Sequence, residues 1–225
     1  MPNVNLDIGY IYGYRSYDTR NNIGYNAQGD VVYHTAACGI VLNKKSNTMK
    51  VNTSHNDDIT CLDVNTSKGL VATAEMGRWP SLIVWDANTL ETKTVFAKKL
   101  ERSISNVAIS KSGKYVAATA MNDKHEIAVY DIQKNALVAF GDGPRSVVFA
   151  LKFNSQEDEV ILACQREVIF SSFNSGKIIN KKGIFGKAPL NPNLSIANLG
   201  DSVVTSMSTG LLILWKGNFA SKVFK

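Results

Sequence analysis

Strand-sized apolar runs recur along this chain at a nearly constant interval, each closing on a large apolar or aromatic residue followed by a polar one. The closings fall at Leu42-Asn43, Trp85-Asp86, Tyr130-Asp131, Phe173-Asn174 and Trp215-Lys216, spaced by 43, 45, 43 and 42 residues. A fixed period of this length means that one supersecondary unit is used again and again. Such a unit cannot bury its apolar face alone, so its copies must stack on one another.

The unit is made of strands. Short β-branched and aromatic runs dominate, among them VVYHTAAC, ITCLDV, GLVATA, LIVWD, YVAATA, IAVYD, VFALKF, EVILAC and LLILWK. Each is bounded by Gly, Asn, Asp, Ser or Lys, and few segments show helical periodicity. A period of 42–45 residues with a Trp-Asp closing resembles the blades of a WD-type β-propeller, four strands to a blade. The fold class expected is therefore all-β, a WD40-type propeller of about five blades. The strand after each Trp-Asp closing is expected to belong to the next blade. No closing strand is visible, so the chain is expected to be an excerpt of a larger or tandem propeller, a closed small one being the other possibility. The opening motif and first blade strands are assigned to residues 1–43 and further blades to 44–225, with repeat ends near 86, 131, 174 and 216.

The stretch from Ile59 to Asp86 shows the fullest pattern, and His55 precedes its Trp85 by 30 positions. In repeats that this unit resembles, such a histidine joins a hydrogen-bonded network beneath the blade. His55 is thus expected to be structural, together with Trp85, Asp86 and Trp215, since no second metal ligand lies beside it.

Composition excludes several classes. The chain has 225 residues, 44% hydrophobic and 20% charged, ordinary for a globular protein. No apolar run is long enough to span a bilayer, and the start, MPNVNLDIGY, lacks the layout of a secretory signal. Cys38, Cys61 and Cys164 lie far apart in apolar surroundings, which fits buried reduced thiols. No nucleophile elbow, zincin, P-loop or dinucleotide fingerprint occurs, so no enzyme activity, cofactor or metal is expected. The glycine-rich FGDGPR at 140–145 precedes a strand rather than a helix and reads as a turn. The net charge of +6 resides in the last quarter: Lys177 to Lys225 carries seven lysines and one acid, Asp201. A basic face attracts acidic partners in a salt-sensitive way, and Lys181, Lys182 and Lys187 are its candidates. They lack the interleaved aromatics of a nucleic-acid platform, so neither nucleic acid nor membrane is expected as a partner.

The opening stretch is the most distinctive. Residues 12–22, YGYRSYDTRNN, followed by GDVVYHTAA at 29–37, resemble the HELP motif of the echinoderm microtubule-associated protein-like family. The residues carrying the likeness are Tyr12, Gly13, Tyr14, Arg15, Asp18, Arg20, Asn21 and Asn22, with Ser16 where the family usually has Gly. HNDDITCL at 55–62 and GIFGK at 183–187 add to it. The resemblance implies a motif built into the propeller. Arg15 and Arg20 would fork onto Asp18 or backbone carbonyls, the tyrosine rings would be buried, and Asn21-Asn22 would turn the chain into a strand. An exposed aromatic–arginine surface for a partner is the other reading.

By the same resemblance the chain is a non-enzymatic, microtubule-associated scaffold. Its partners would be tubulin and other proteins, and its place the cytoplasmic cytoskeleton or the ciliary axoneme. The alternative is a general WD-repeat adaptor without direct tubulin contact.

Overall fold

The computed structural model describes residues 8–174 and 176–225. The stretch MPNVNLD, part of the start in which no secretory signal was expected, lies outside them. The described chain forms five four-stranded antiparallel sheets, each wound in sequence order. The first holds β1 (Ile23–Tyr25), β2 (Val31–Thr35), β3 (Cys38–Asn43) and β4 (Thr48–Asn52). The second holds β5 (Ile59–Asn65), β6 (Leu70–Glu75), β7 (Leu82–Asp86) and β8 (Thr92–Phe96). The third holds β9 (Ile104–Ile109), β10 (Tyr115–Ala120), β11 (Ile127–Asp131) and β12 (Ala136–Gly141). The fourth holds β13 (Val148–Phe153), β14 (Glu159–Cys164), β15 (Val168–Ser172) and β16 (Ile179–Lys182). The fifth holds β17 (Asn193–Leu199), β18 (Ser202–Met207), β19 (Leu212–Lys216) and β20 (Phe219–Phe224). This is a WD40-type propeller architecture with five blades.

At three of the closings the polar residue has a local task. The Asp86 carboxylate accepts the N–H groups of Asn88 and Thr89 at 2.9 and 3.1 Å. Asn43 Oδ1 accepts those of Lys45 and Ser46, both at 3.0 Å, and Asp131 accepts that of Lys134 at 2.9 Å. Short acceptors at these positions cap the turn into the following strand. At the fifth closing Lys216 cannot accept such bonds, and Gly217 turns the chain instead, in the left-handed region at φ 55°.

The capped turns correct one expectation. The strand after each Trp-Asp closing stays in its own sheet, with Trp85 paired to Thr92 and Leu82 to Phe96. The hairpin folds back because Leu90 N–H reaches Asp86 O at 2.9 Å, which leaves no slack to cross to a neighbour. The first sheet accordingly continues past residue 43 to Asn52.

The core lies between the sheets. Val32, Val41, Leu62 and Trp85 join the first to the second. Leu82, Phe96, Val107 and Tyr130 join the second to the third. Val129, Leu151, Phe153 and Phe173 join the third to the fourth, and Phe170, Val203 and Trp215 join the fourth to the fifth. On the first sheet's other face, Ile11 packs onto Val31, Tyr33 and Ile40. The described residues preceding β1 therefore cover that face through Ile11. The far face of the fifth sheet carries exposed Leu199 and Leu212.

Two glycines mark close approaches. A Cβ at Gly39 would sit 2.9 Å from the Trp85 ring, and one at Gly183 would sit 2.9 Å from the Trp215 ring. Each fully buried indole lies against neighbouring backbone, and a side chain there would wedge the sheets apart.

Candidate functional site

The segment that covers the first sheet is organised around Arg15, whose side chain is buried. Its guanidinium donates to both carboxylate oxygens of Asp18, Nε at 2.8 Å and Nη2 at 2.7 Å. Nη1 donates to Asp58 at 2.9 Å, in the loop entering the second sheet. The Asp18 hydrogen bond raises the Arg15 pKa and lowers that of Asp18 in return. The Arg15 carbonyl accepts Asn22 Nδ2 at 2.7 Å and Thr19 Oγ1 at 2.9 Å, while Tyr14 Oη donates to Asn22 Oδ1 at 2.6 Å. Asn21, left-handed at φ 48°, offers its carbonyl to Leu62 N–H at 3.2 Å. Arg15 and Asn21 thus tie the motif to the second sheet as well as the first.

Two parts of the motif differ from expectation. The tyrosine rings are not buried: Tyr12 is 87% and Tyr17 84% exposed, Tyr14 leans edge-on to Tyr33 at 6.1 Å, and Tyr10 Oη donates to Asn47 Oδ1 at 3.4 Å. A single irregular segment has only one side against the sheet, and Ile11, Arg15 and Asn22 occupy it. Arg20 does not join Asp18 either; its guanidinium lies 5.0 Å from the centre of the Phe149 ring. Gly13 is left-handed at φ 117°.

In the second sheet a donor chain runs from Trp85 Nε1 to Thr73 Oγ1 at 3.0 Å, on to His55 Nε2 at 2.7 Å, and from His55 Nδ1 to Glu75 at 2.7 Å. Burial raises the Glu75 carboxyl, but hydrogen bonds from His55 and Ser81 outweigh it and hold the pKa at about 2. The fifth sheet repeats the arrangement with Asn193 for histidine: Trp215 Nε1 reaches Thr205 Oγ1 at 2.9 Å, and Thr205 donates to Asn193 at 3.0 Å. Thr73, Glu75, Thr205 and Asn193 were not anticipated. The recurring threonine, 12 and 10 residues before the two tryptophans, is the sequence signal that could have found them.

The basic candidates are scattered. Lys181 and Lys182 are successive residues of the edge strand β16, so they point to opposite faces. Both are exposed, and Lys182 meets Glu167 at 3.0 Å. Lys187 is exposed on the following loop, beyond Phe185, whose ring stands edge-on to Trp215 at 5.0 Å. Lys182 and Arg145 line a cleft of about 360 Å³.

The inner strands of all five sheets meet around a cavity of about 240 Å³, whose charged lining residues are Asp63 and Lys152. Asp63 accepts Ile109 N–H at 2.7 Å, and burial raises its pKa. Among the described residues no group of three His, Cys, Asp or Glu could hold a metal ion. The three cysteines are free, and burial pushes the Cys61 and Cys164 thiols up to about 12. Among the described residues no helix is long and apolar enough to cross a membrane.

The family model described as the echinoderm microtubule-associated protein first beta-propeller matches residues 50–225, and that of the HELP motif matches residues 1–40. The ciliary WD repeat-containing protein ctxp80 of Euplotoides octocarinatus is 34% identical over 204 residues, 82% of this chain and 28% of that protein. Echinoderm microtubule-associated protein-like 1 of Mus musculus is 28% identical over 233 residues, 96% of this chain and 28% of its own length. The 77 kDa echinoderm microtubule-associated protein of Strongylocentrotus purpuratus is 28% identical over 231 residues, 96% of this chain and 34% of its own length. The chain thus spans about a third or less of each of these relatives.

Proposed function

The chain belongs to the echinoderm microtubule-associated protein family, and we propose that it is a non-enzymatic scaffold that binds tubulin and partner proteins through its propeller surfaces. The observation that carries this reading is the junction of a HELP motif with an EMAP-type first propeller in one chain. The motif's role is architectural: it closes the first sheet's outer face through Ile11 and locks the second sheet through Arg15. His55 and Asp86 are read as holding their own blade, and Trp85 and Trp215 as also packing it against its neighbour.

Contact with tubulin's acidic surface is assigned to Lys181, Lys182 and Lys187. They are exposed and lie in the last quarter of the sequence, which carries a charge equal to the whole net charge of +6, the rest of the chain summing to zero. A relative named as ciliary supports the axoneme as the place of action. Co-sedimentation with microtubules across a salt series tests the assignment. Pelleting should weaken as salt rises, and K181E/K182E should bind less and with a flatter salt dependence. A folded protein that fails to pellet at low salt would instead support an adaptor without tubulin contact.

A further inference from the structure

A passage runs between the inner strands of the blades, apart from the lysines assigned to tubulin. The cavity of about 240 Å³ described above shares Asp63, Val64, Thr66 and Lys152 with a second chamber of about 310 Å³. To these the chamber adds Asn65, Lys111, Phe153 and Asn198, drawn from the second to the fifth sheets. The two spaces are therefore continuous.

Their ends differ. Along β13, Ala150, Leu151 and Lys152 line the cavity and Phe153 lines the chamber. At the end away from the chamber, Phe149 lies under the Arg20 guanidinium, 5.0 Å from the ring centre. Asn21, beside Arg20, also lines the cavity. This contact between the opening motif and the fourth sheet caps that end. The other end meets solvent at Lys111 and Lys152, both exposed.

The open rim is held by bonds between neighbouring sheets. Asn65 Nδ2 donates to Ser110 O at 2.8 Å, Asn198 Nδ2 to Phe153 O at 2.9 Å, and Thr66 Oγ1 to Tyr25 O at 2.8 Å. Asn154 Nδ2 donates to Asp158 at 2.6 Å, and Ser67 Oγ to Asn65 at 2.9 Å. Every amide and hydroxyl donor of the chamber's side chains is thus engaged. The side-chain donors left are the ammonium groups of Lys111 and Lys152, which form no ion pair among the described residues. The one lining carboxylate, Asp63, accepts Ile109 N–H at 2.7 Å, and burial raises its pKa, which favours its neutral form. Three further acids lie on the rim loops but do not line the chamber. Glu157 accepts the Ser112 N–H and hydroxyl, Asp158 accepts Asn154, and Asp201 accepts Gln156 Nε2 at 2.7 Å. The space therefore holds two free cations against one bonded carboxylate, with unpaired Arg20 at the capped end.

We propose that this passage binds a small polyanion bearing phosphate or carboxylate groups, which enters at the open end and is held by Lys111 and Lys152. Apolar walls at Val64, Ile109 and Phe153 concentrate the field of the two cations. The bonded rim needs little ordering when the ligand arrives. At about 30 Å³ per water the chamber has the volume of about ten waters, room for a small ion rather than a folded segment.

The probes are inorganic pyrophosphate and citrate, titrated calorimetrically into the whole chain at constant ionic strength. At least one should bind and raise the thermal midpoint. Tighter pyrophosphate assigns a phosphorylated ligand, and tighter citrate a polycarboxylate. K111M/K152M should weaken binding about tenfold, while K111R/K152R, which keeps both charges, should retain it. K181E/K182E should leave it intact, which separates the passage from the tubulin assignment. Binding of neither probe would overturn the proposal, as would unchanged binding in K111M/K152M. So would weaker binding in D63N, because the passage would then be selecting through its carboxylate.

Discussion

Arg15 shows how one side chain can couple a segment to two sheets. It is buried, and its charge is balanced by Asp18 from its own segment and Asp58 from the second sheet. Removing one carboxylate leaves the guanidinium under-paired, at a cost of about 1–3 kcal/mol. Asp18→Ala should lower the urea midpoint and the yield of folded protein, and D18A/D58A should lose more than the two single changes together. An Asp18→Ala protein of unchanged stability that fails to bind a partner would show the motif to be a recognition surface. His34 gives a residue-scale pH dependence. It is fully buried on β2 with neither ring nitrogen bonded among the described residues. Burial, with the Arg15 cation and His55, lowers its pKa from 6.5 to about 4. The unfolded chain therefore takes up a proton near pH 6.5 that the folded chain refuses until about pH 4, and stability falls by roughly 3 kcal/mol across that window as the solution is acidified. Glu75 acts at lower pH: its stabilisation is complete above about 4.5 and is lost towards about 2. Thermal midpoints measured against pH should begin to drop below 6.5, and His34→Leu should flatten that first step while leaving the lower one.

Among the elements, the three inner strands of each blade and the outer strands obey different rules. β6, β10 and β14 are hydrogen-bonded on both sides and almost wholly buried, so their sequences read as continuous apolar runs. The outer strands TMKVN, TKTVF and INKK face solvent along one edge. Lysine and threonine there keep edges from pairing with other chains, and the same residues hide these strands from pattern reading. β1, only three residues long, is too short for an alternating pattern to show. Close approach is tested at Gly183, where an added Cβ would meet the Trp215 ring at 2.9 Å and Val168 O at 3.1 Å. Gly183→Ala should destabilise by about 1–3 kcal/mol through overpacking, seen as a lower denaturant midpoint at constant slope. No change would mean that the loop carrying Phe185 can move away from the indole.

Over the whole molecule, stacked sheets share cores only with their neighbours, so stability should be graded along and across the blades. Native-state hydrogen exchange should be slowest in β10 and β14 and fastest in the outer strands β16 and β20. Equal protection of β16 and β10 would contradict this picture of the core. Read alone, the chain determined the five-unit repeat, the all-β class and the closings of the repeats. These depend on properties local to the chain: the spacing of apolar runs, and Asn or Asp side chains that reach amides two or three residues away. It also revealed the opening motif, and offered Asp18 or backbone carbonyls as partners for its arginines without choosing between them. Only the tertiary structure decided that Asp58 completes the Arg15 site, that Arg20 turns to Phe149, and that the tyrosines remain in solvent. It alone placed Thr73 and Glu75 behind His55. Those outcomes depend on which distant backbone comes within about 3 Å of a side chain, the reach of a hydrogen bond, and that distance is set by the stacking of sheets rather than by any neighbour in sequence.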